Sequence, residues 1–561
     1  MSGNIVQCDP AIIVTSEITD AVTGRILASQ RIIGGEGDDI FNIVDMLTDT
    51  IRIDLSIPAE TELDNNIHIG DATTKSQDAY RHYIEGVDYF SRFYSGPALN
   101  SFHKALEYDS TFAMAYLFLA RLENRDYIEQ AIKYSENNPW KEKRYIKAFK
   151  YRLFGDTADA IKTYHEILNR YPYEKDAYYY LGNLAYQIQA YDSSIYYLNK
   201  SVEIDPYFRS ALNILAYAYA KNGDLDSSML ILDRYAESAP NEPNPDDSRA
   251  DILARSGRIG EAIRYYKLAL EKDSNFTNSI FNLGLLSIIN GDYQQARECF
   301  RDLASADNSN LRSTGRLYRG EVPLYQGKIK EGLGILADAV AAENLERETI
   351  RHASYNHVRA IVYTELGDWD NALAEIRKSM KLHREQFPDR MEFNRCFYIY
   401  ILAASGDFQT AKAELEKLGH EIEEKSVSRA QYIYGKAAID FYERNYDAAL
   451  EDLQISVDAQ QPVSFATLYL LGRSYLGAGQ YEDALKAMDK MLKINTSDRI
   501  YWGPWAVTPY YYRGLVYEKL GDKTKAMADY EKLINLWRNA DTDIPILDSA
   551  KQRLAMLKDK S

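Results

Sequence analysis

This 561-residue sequence contains three cysteines, eight histidines and 83 acidic residues, and none of these side chains falls in a spacing that indicates catalysis or metal binding. Cys8, Cys299 and Cys396 lie far apart and are odd in number, so they predict neither a disulfide framework nor a zinc site. Among the eight histidines, His352 and His357 lie five residues apart without an acidic partner pattern. No serine-hydrolase, metalloprotease or kinase motif is present. We therefore expect a non-enzymatic chain with no metal and no cofactor.

A short aromatic stretch near the end of the chain is a candidate of another kind. The sequence RIYWGPWAVTPYYY (Arg499–Tyr512) places Trp502 and Trp505 on either side of Gly503-Pro504. Large aromatic side chains are frequent anchors in protein interfaces, so both indoles are candidate partner-binding residues. The alternative is that the stretch folds back and fills a gap between the neighbouring repeats of the chain.

Composition excludes several classes of protein. The net charge is −17 at pH 7, so the Lys/Arg density that phosphate neutralisation needs is lacking, and we expect no nucleic-acid partner. The longest apolar runs, such as Ala211–Ala220, are about half the length that spans a bilayer. The start, MSGNIVQCDP, lacks the basic and apolar regions of a signal peptide. We expect a soluble chain, with a cytoplasmic location favoured.

The sequence repeats itself with a period of 34 residues. Turn glycines recur at this interval, with Gln189 in the one gap, at Gly155, Gly223, Gly257 and Gly291. Each unit contains two segments with apolar residues at helical spacing. The turn between them favours glycine because it needs a left-handed residue. Small residues are expected where the two helices cross, and they include Gly182, Gly284 and Ala262.

The small, aromatic and proline positions resemble the tetratricopeptide repeat. They are well seen in LGNLAYQIQAYDSSIYYLNKSVEIDP (residues 181–206) and LYLLGRSYLGAGQYEDALKAMDKMLKI (residues 468–494). The resemblance implies a mostly α-helical fold, a right-handed superhelix (α-solenoid) of antiparallel helix pairs whose first helices line a concave groove. We expect tandem repeats over residues 77–540 and a capping helix over residues 541–561.

The resemblance also implies which side chains face that groove. At the family's groove positions the sequence has Tyr145, Phe149, Arg152, Tyr179, Asn183, Tyr186, Asn213, Tyr217, Asp247, Asp251, Arg255, Phe281, Leu285 and Ile288. Aromatic side chains beside amides suit an extended protein or peptide segment, through apolar contact and backbone hydrogen bonds. Asp247 and Asp251 disfavour the mode in which some members grip a C-terminal carboxylate. The alternative for each residue is packing between adjacent first helices.

Residues 1–58 differ from the rest of the sequence. Ile13–Ile32 alternates apolar and polar residues and breaks at Thr23-Gly24, which predicts a β-hairpin, and a helical pattern follows up to Leu55. Together they resemble the closing part of the TolB-like amino-terminal domain of bacterial proteins. We expect a partial α/β segment, favoured as the tail of a longer protein over a small cap on the first repeat. A linker is expected over residues 59–76.

The leading hypothesis is a scaffold that binds partner proteins or peptides along the concave face of the repeats. The alternative is the sensory or regulatory C-terminal portion of a longer bacterial signalling protein, whose kinase, cyclase or DNA-binding module lies upstream. A longer native reading frame would favour the second hypothesis. The sequence does not identify the partner, because the binding surface of a repeat array changes without altering its packing positions.

Overall fold

The computed structural model describes residues 2–8, 11–19, 25–34, 40–54, 74–136, 138–346, 351–386, 392–425, 429–459, 463–541 and 543–559. Its contacts divide the chain into two units, unit 1 (Met1–Pro245) and unit 2 (Asp246–Ser561). The predicted turn at Thr23-Gly24 and residues 59–73 of the predicted linker lie outside the described residues.

A small antiparallel sheet with one helix opens unit 1. Its elements are β1 (Ser2–Cys8), β2 (Ala11–Thr19), β3 (Ile26–Gly34) and α1 (Ile40–Asp54). The strand order is β1-β2-β3, and α1 packs against β3 so that Val14, Ile32 and Ile43 share a small core. The sequence predicts the hairpin and the helix but not β1, because SGNIVQC lacks a clear alternation of apolar and polar residues.

The rest of unit 1 is described as five antiparallel helix pairs. They are α2/α3 (Gln77–Ser91, Ser95–Tyr108), α4/α5 (Ala113–Leu122, Tyr127–Tyr134), α6/α7 (Trp140–Phe154, Thr157–Arg170), α8/α9 (Lys175–Gln187, Tyr191–Ile204) and α10/α11 (Arg209–Lys221, Leu225–Ser238). In each pair the first helix packs mainly on the second. This is the architecture that the 34-residue period predicts.

Unit 2 continues the pattern with further pairs and one insertion. Its pairs are α12/α13 (Asn244–Arg255, Ile259–Lys272), α14/α15 (Thr277–Asn290, Tyr293–Ala304), α16/α17 (Ser309–Tyr325, Ile329–Glu346), α18/α19 (His352–Leu366, Trp369–Gln386), α20/α21 (Glu392–Ser405, Phe408–Lys425), α22/α23 (Arg429–Tyr442, Tyr446–Ala459), α24/α25 (Phe465–Gly477, Tyr481–Leu492) and α27/α28 (Pro509–Lys519, Lys523–Leu536). The insertion holds the short α26 (Ser497–Ile500) and a 3₁₀ turn (Gly503–Ala506), and α29 (Pro545–Asp559) ends the unit.

A left-handed residue ends the first helix at the predicted turn positions. The recurring glycines all have φ between 81° and 90°: Gly155, Gly223, Gly257 and Gly291. Gln189, in the one gap of the period, has a φ of 61° and adopts the same turn. The next amide bonds to the carbonyl five positions back, as from Asp156 to Tyr151 (2.9 Å). The turn therefore favours glycine without requiring it.

Small residues let the two helices of a pair approach closely. A Cβ atom added to Gly182 would lie 2.5 Å from Cγ of Leu198, and one added to Gly284 would lie 2.7 Å from Cζ of Phe300. Ala262 is fully buried at the corresponding crossing in α13. Larger side chains at these positions must displace a packed neighbour.

The end of unit 2 packs back on the turn between α16 and α17. The indole N–H of Trp537 donates to the carbonyl of Tyr325 (3.0 Å), and the amide of Lys330 donates to the carboxylate of Asp541 (2.6 Å). These two bonds join residues 212 and 211 positions apart. Unit 2 is therefore not a simple row in which each pair contacts its sequence neighbours alone.

Candidate protein-binding surfaces

The predicted groove residues fall in both units and differ in exposure. Those that are buried are Tyr145, Phe149, Asn213, Asp247, Leu285 and Ile288. Those that are half-buried are Arg152, Tyr179, Asn183, Tyr186, Tyr217, Asp251 and Phe281, and Arg255 is exposed. The half-buried and exposed members have surface to offer a partner.

The buried members in unit 1 take part in internal packing. The ring of Tyr145 meets that of Tyr180 edge-on, with 5.6 Å between centroids, and its hydroxyl donates to Oε1 of Glu174 (3.1 Å). Burial, followed by the Glu174 carboxylate, raises the pKa of Tyr145. Oδ1 of Asn213 is buried without a hydrogen-bond partner among the described residues. Tyr145 and Phe149 therefore pack inside unit 1 and offer little surface to a partner.

Two arginines border the half-buried tyrosines, on successive first helices of unit 1. The guanidinium carbons of Arg121 (α4) and Arg152 (α6) lie 5.0 Å and 4.6 Å from the ring centroid of Phe149. Arg121 also donates a hydrogen bond to the hydroxyl of Tyr180 (2.6 Å). Aromatic faces attract cations, so these contacts hold both guanidiniums in place. Burial, followed by the neighbouring Arg121, lowers the pKa of Arg152.

Within the described residues, neither arginine has a carboxylate at ion-pair distance. The carboxylate on α6, Glu142, accepts a hydrogen bond from Asn138 (2.6 Å), and Glu174, just before α8, is paired with Lys141 (2.9 Å). Nε of Arg121 is buried and has no hydrogen-bond partner in the described part of the chain. A guanidinium has five N–H donors, so this arginine pair retains donors and positive charge for an anionic group.

A row of polar side chains on α8 lies beside the arginines. The amide of Asn183 donates to the hydroxyl of Tyr179 (3.4 Å), and the amide of Gln187 donates to Oδ1 of Asn183 (3.0 Å). Tyr179 packs on Tyr180 at 5.1 Å, and its burial, followed by Tyr180, raises its pKa to about 12. Tyr186 follows two turns later on the same helix face. We call Arg121, Arg152, Tyr179, Asn183 and Tyr186 the unit 1 surface.

Sequence reasoning did not select Arg121. Helix α4 has ten residues and belongs to a shortened repeat outside the 34-residue register, so the family's groove positions could not be assigned there. The available signal was an arginine in the last turn of an otherwise apolar first helix.

The acidic groove positions of unit 2 are satisfied within the unit. The hydroxyl of Ser279 donates to Oδ1 of the buried Asp247 (2.6 Å). Burial raises the pKa of Asp247 to about 7. Asp251 and Arg255 form an ion pair at 2.8 Å, one helical turn apart. Arg255 thus has a carboxylate partner, which neither Arg121 nor Arg152 has among the described residues.

The aromatic insertion folds back into unit 2. The indoles of Trp502 and Trp505 are 4% and 1% exposed and stack on each other, with 5.6 Å between centroids. Trp505 also stacks on Tyr469 of α24 at 4.4 Å, and both indoles contact Phe397 of α20. Of the two alternatives for this stretch, the structure shows the one in which it fills space between repeats, and neither indole is exposed to a partner.

Polar groups are buried beneath the insertion. Nδ1 of His357 lies 2.8 Å from the hydroxyl of Tyr501. Burial, followed by His383, lowers the pKa of His357 to about 3. Glu321 is fully buried next to Gly503, and burial raises its pKa. Both groups are therefore favoured in their neutral forms.

The described residues contain no cluster of three or more His, Cys, Asp or Glu side chains that could hold a metal ion. His352 is buried, with Nε2 at 3.3 Å from the carbonyl of Val340, and His357 packs under the insertion. Across the described part of the chain, no helix is both long and apolar enough to cross a bilayer.

Comparison with known proteins supports the repeat assignment. Two tetratricopeptide repeat models match the chain, one over residues 154–207 and 434–499 and the other over residues 277–310 and 507–538. The chain is similar to the TPR repeat-containing protein MJ1428 of Methanocaldococcus jannaschii, with 24% identity over 437 residues, 72% of this chain and 70% of the relative. It is also similar to human tetratricopeptide repeat protein 13, with 26% identity over 27% of this chain and 18% of that protein.

A crystal structure of a tetratricopeptide repeat protein from Parabacteroides merdae aligns with 50% of this chain and 98% of its own, at 16% identity and a TM-score of 0.30. Within this helical array, the four segments that the family models match are tetratricopeptide repeats. Repeats of this kind typically mediate protein–protein interaction. The TolB-like resemblance of residues 1–58 stays a prediction.

Proposed function

We propose that the chain is a non-enzymatic scaffold, and that its unit 1 surface binds an extended segment of a partner protein. The observation that carries this proposal is the arginine pair. Arg121 and Arg152 are half-buried on aromatic faces, and neither has a carboxylate partner among the described residues. Buried or partly buried charges are normally paired, so an unpaired couple on a repeat surface marks a place for an opposite charge.

The chemistry of the surface defines the partner segment. Guanidinium groups bind carboxylates with two parallel hydrogen bonds, so the segment carries an aspartate or glutamate opposite Arg121 and Arg152. Tyr179 and Tyr186 add apolar contact, and the amide of Asn183 is placed to bond with an extended backbone. The net charge of −17 makes this a local basic site on an acidic chain, which favours correctly placed acidic segments over acidic polymers in general.

The test is selection of peptides from a displayed random library on the full chain, followed by fluorescence anisotropy titration of the selected peptides. We expect acidic residues to be enriched, and Arg152→Gln to weaken binding about tenfold, since a charge-assisted hydrogen bond contributes about 1.5–3 kcal/mol. Raising the salt concentration should weaken binding further.

The matched control is Arg125→Gln, which removes the same charge from an exposed position four residues after Arg121. We expect this control to bind like the parent chain. Equal losses in both variants would show a general charge effect, and selected peptides without acidic residues would contradict the proposal. Circular dichroism of each variant separates lost binding from lost folding.

A further inference from the structure

Unit 2 contains a cavity of about 190 Å³ that the scaffold function does not use. It lies between α20, α22, α23 and α24, and the insertion closes one side. Its walls include three aromatic rings, those of Phe397, Tyr434 and Trp502. A cavity of about 150 Å³ in a protein core holds a benzene molecule, so this volume suits one substituted six-membered ring.

Two hydroxyl groups in the wall of the cavity are unsatisfied. The hydroxyls of Tyr434 and Ser456 are buried and have no hydrogen-bond partner among the described residues. Buried polar atoms nearly always have a hydrogen-bond partner. Two hydroxyls without one in the same cavity therefore indicate a ligand that has polar atoms of its own. Each hydroxyl can both donate and accept.

The remaining polar lining is neutral and mostly bonded within the protein. The thiol of Cys396 lies 3.1 Å from Oε1 of Gln431, and the hydroxyls of Ser464 and Thr467 lie 3.0 Å apart. None of the described lining residues carries a charge. A charged ligand would lose its hydration there without an opposite charge to replace it.

The geometry points to a site for a small neutral molecule with a single aromatic ring and a polar substituent, held between the rings of Phe397, Tyr434 and Trp502 and bonded to the hydroxyls of Tyr434 and Ser456. Stacking on the aromatic walls selects a planar ring. The two wall hydroxyls favour a ring substituent that can form hydrogen bonds, such as a carboxamide or a hydroxyl group. This inference does not rest on the proposed function, because the site lies within unit 2 and involves no residue of the unit 1 surface.

Benzamide is a suitable probe, with benzoate and cyclohexanecarboxamide as matched controls for charge and planarity. Saturation-transfer NMR and titration on the full chain should show benzamide binding with a dissociation constant of about 1 mM or tighter. Both controls should bind at least about tenfold more weakly. Tyr434→Phe and Ser456→Ala should each weaken benzamide about three- to tenfold.

Tyr432→Phe removes a hydroxyl from the same helix, α22, at a position outside the cavity, and should leave benzamide binding unchanged. The inference is overturned if benzamide shows no saturation transfer at millimolar concentration, if benzoate binds as well as benzamide, or if neither cavity variant alters binding. The last result would show that benzamide binds at a place other than this cavity.

Discussion

In unit 1, the first helices α4, α6 and α8 carry arginines and tyrosines that remain half-buried, and neither Arg121 nor Arg152 has a carboxylate partner among the described residues. In unit 2, the first helices α16, α18, α20 and α24 contact the chain's own residues 501–505. Both regions are rich in aromatic residues, and their composition alone does not distinguish them. The difference is that residues 501–505 cover the aromatic side chains of unit 2, whereas no described segment covers those of the unit 1 surface.

The largest expected effect comes from removing the centre of the insertion. Trp505→Ala deletes a fully buried indole that stacks on Trp502 and Tyr469, which should destabilise unit 2 by about 3–5 kcal/mol. Hydrogen exchange followed by mass spectrometry should show faster exchange in α20 and α24 and unchanged exchange in α6 and α8.

Trp140→Ala is the control in unit 1, where the half-buried indole is flanked by Arg144 and Arg170. Its effect should be smaller and confined to unit 1. Equal acceleration of exchange in both units by Trp505→Ala would contradict the conclusion that residues 501–505 stabilise unit 2 alone.

A smaller effect follows from pH. The folded state holds the pKa of His357 near 3, against an ordinary value of 6.5, so below pH 6.5 the unfolded chain takes up a proton that the folded chain does not. Stability of unit 2 should therefore fall as pH falls from about 6.5 towards 3, by about 2–3 kcal/mol between pH 7 and pH 4.5. Urea unfolding at a series of pH values measures this dependence.

His357→Gln should flatten that part of the profile, because the substituted side chain does not titrate. His420→Gln, at an exposed position in the same unit, should leave the profile unchanged. The difference between the two variants isolates His357 from Glu321, whose raised pKa acts in the opposite direction with pH. Identical profiles in both variants would argue against a neutral His357 beneath the insertion.

The smallest effect is expected at the paired charges of unit 2. Arg255→Gln breaks a partly exposed ion pair with Asp251, which should cost about 0.5 kcal/mol or less in unfolding experiments. It should also leave binding of the selected peptides unchanged, in contrast to Arg152→Gln. Loss of peptide binding in Arg255→Gln would extend the binding surface into unit 2.

Local features of this fold are predictable from the sequence, and long-range ones are not. The turn at Gln189 follows the period even without glycine, because the spacing of the flanking helices sets the turn, and the crossings at Gly182 and Gly284 follow from residue size. These features depend on contacts within one repeat.

The insertion and the arginine pair depend on contacts across repeats. From the sequence, Trp502 and Trp505 could either anchor a partner or fill space between repeats. The structure places them against residues that lie about a hundred positions away or more, such as Phe397 and His357. The sequence does not identify Arg121 as a groove residue, because its repeat is shortened and the family's groove positions cannot be assigned there. The sequence does identify Arg152 as a groove residue, but only the structure shows that it has no carboxylate partner among the described residues.

The return of Asp541 and Trp537 to the turn at Tyr325 and Gly327 has a consequence for how unit 2 folds. In an ordinary repeat array, pairs form with their neighbours and terminal pairs fray independently. Here the last pair is tied to one that precedes it by more than two hundred residues, so its contacts form only after a large loop has closed. Unit 2 should therefore fold more slowly than unit 1 and unfold as one block, since high contact order slows folding.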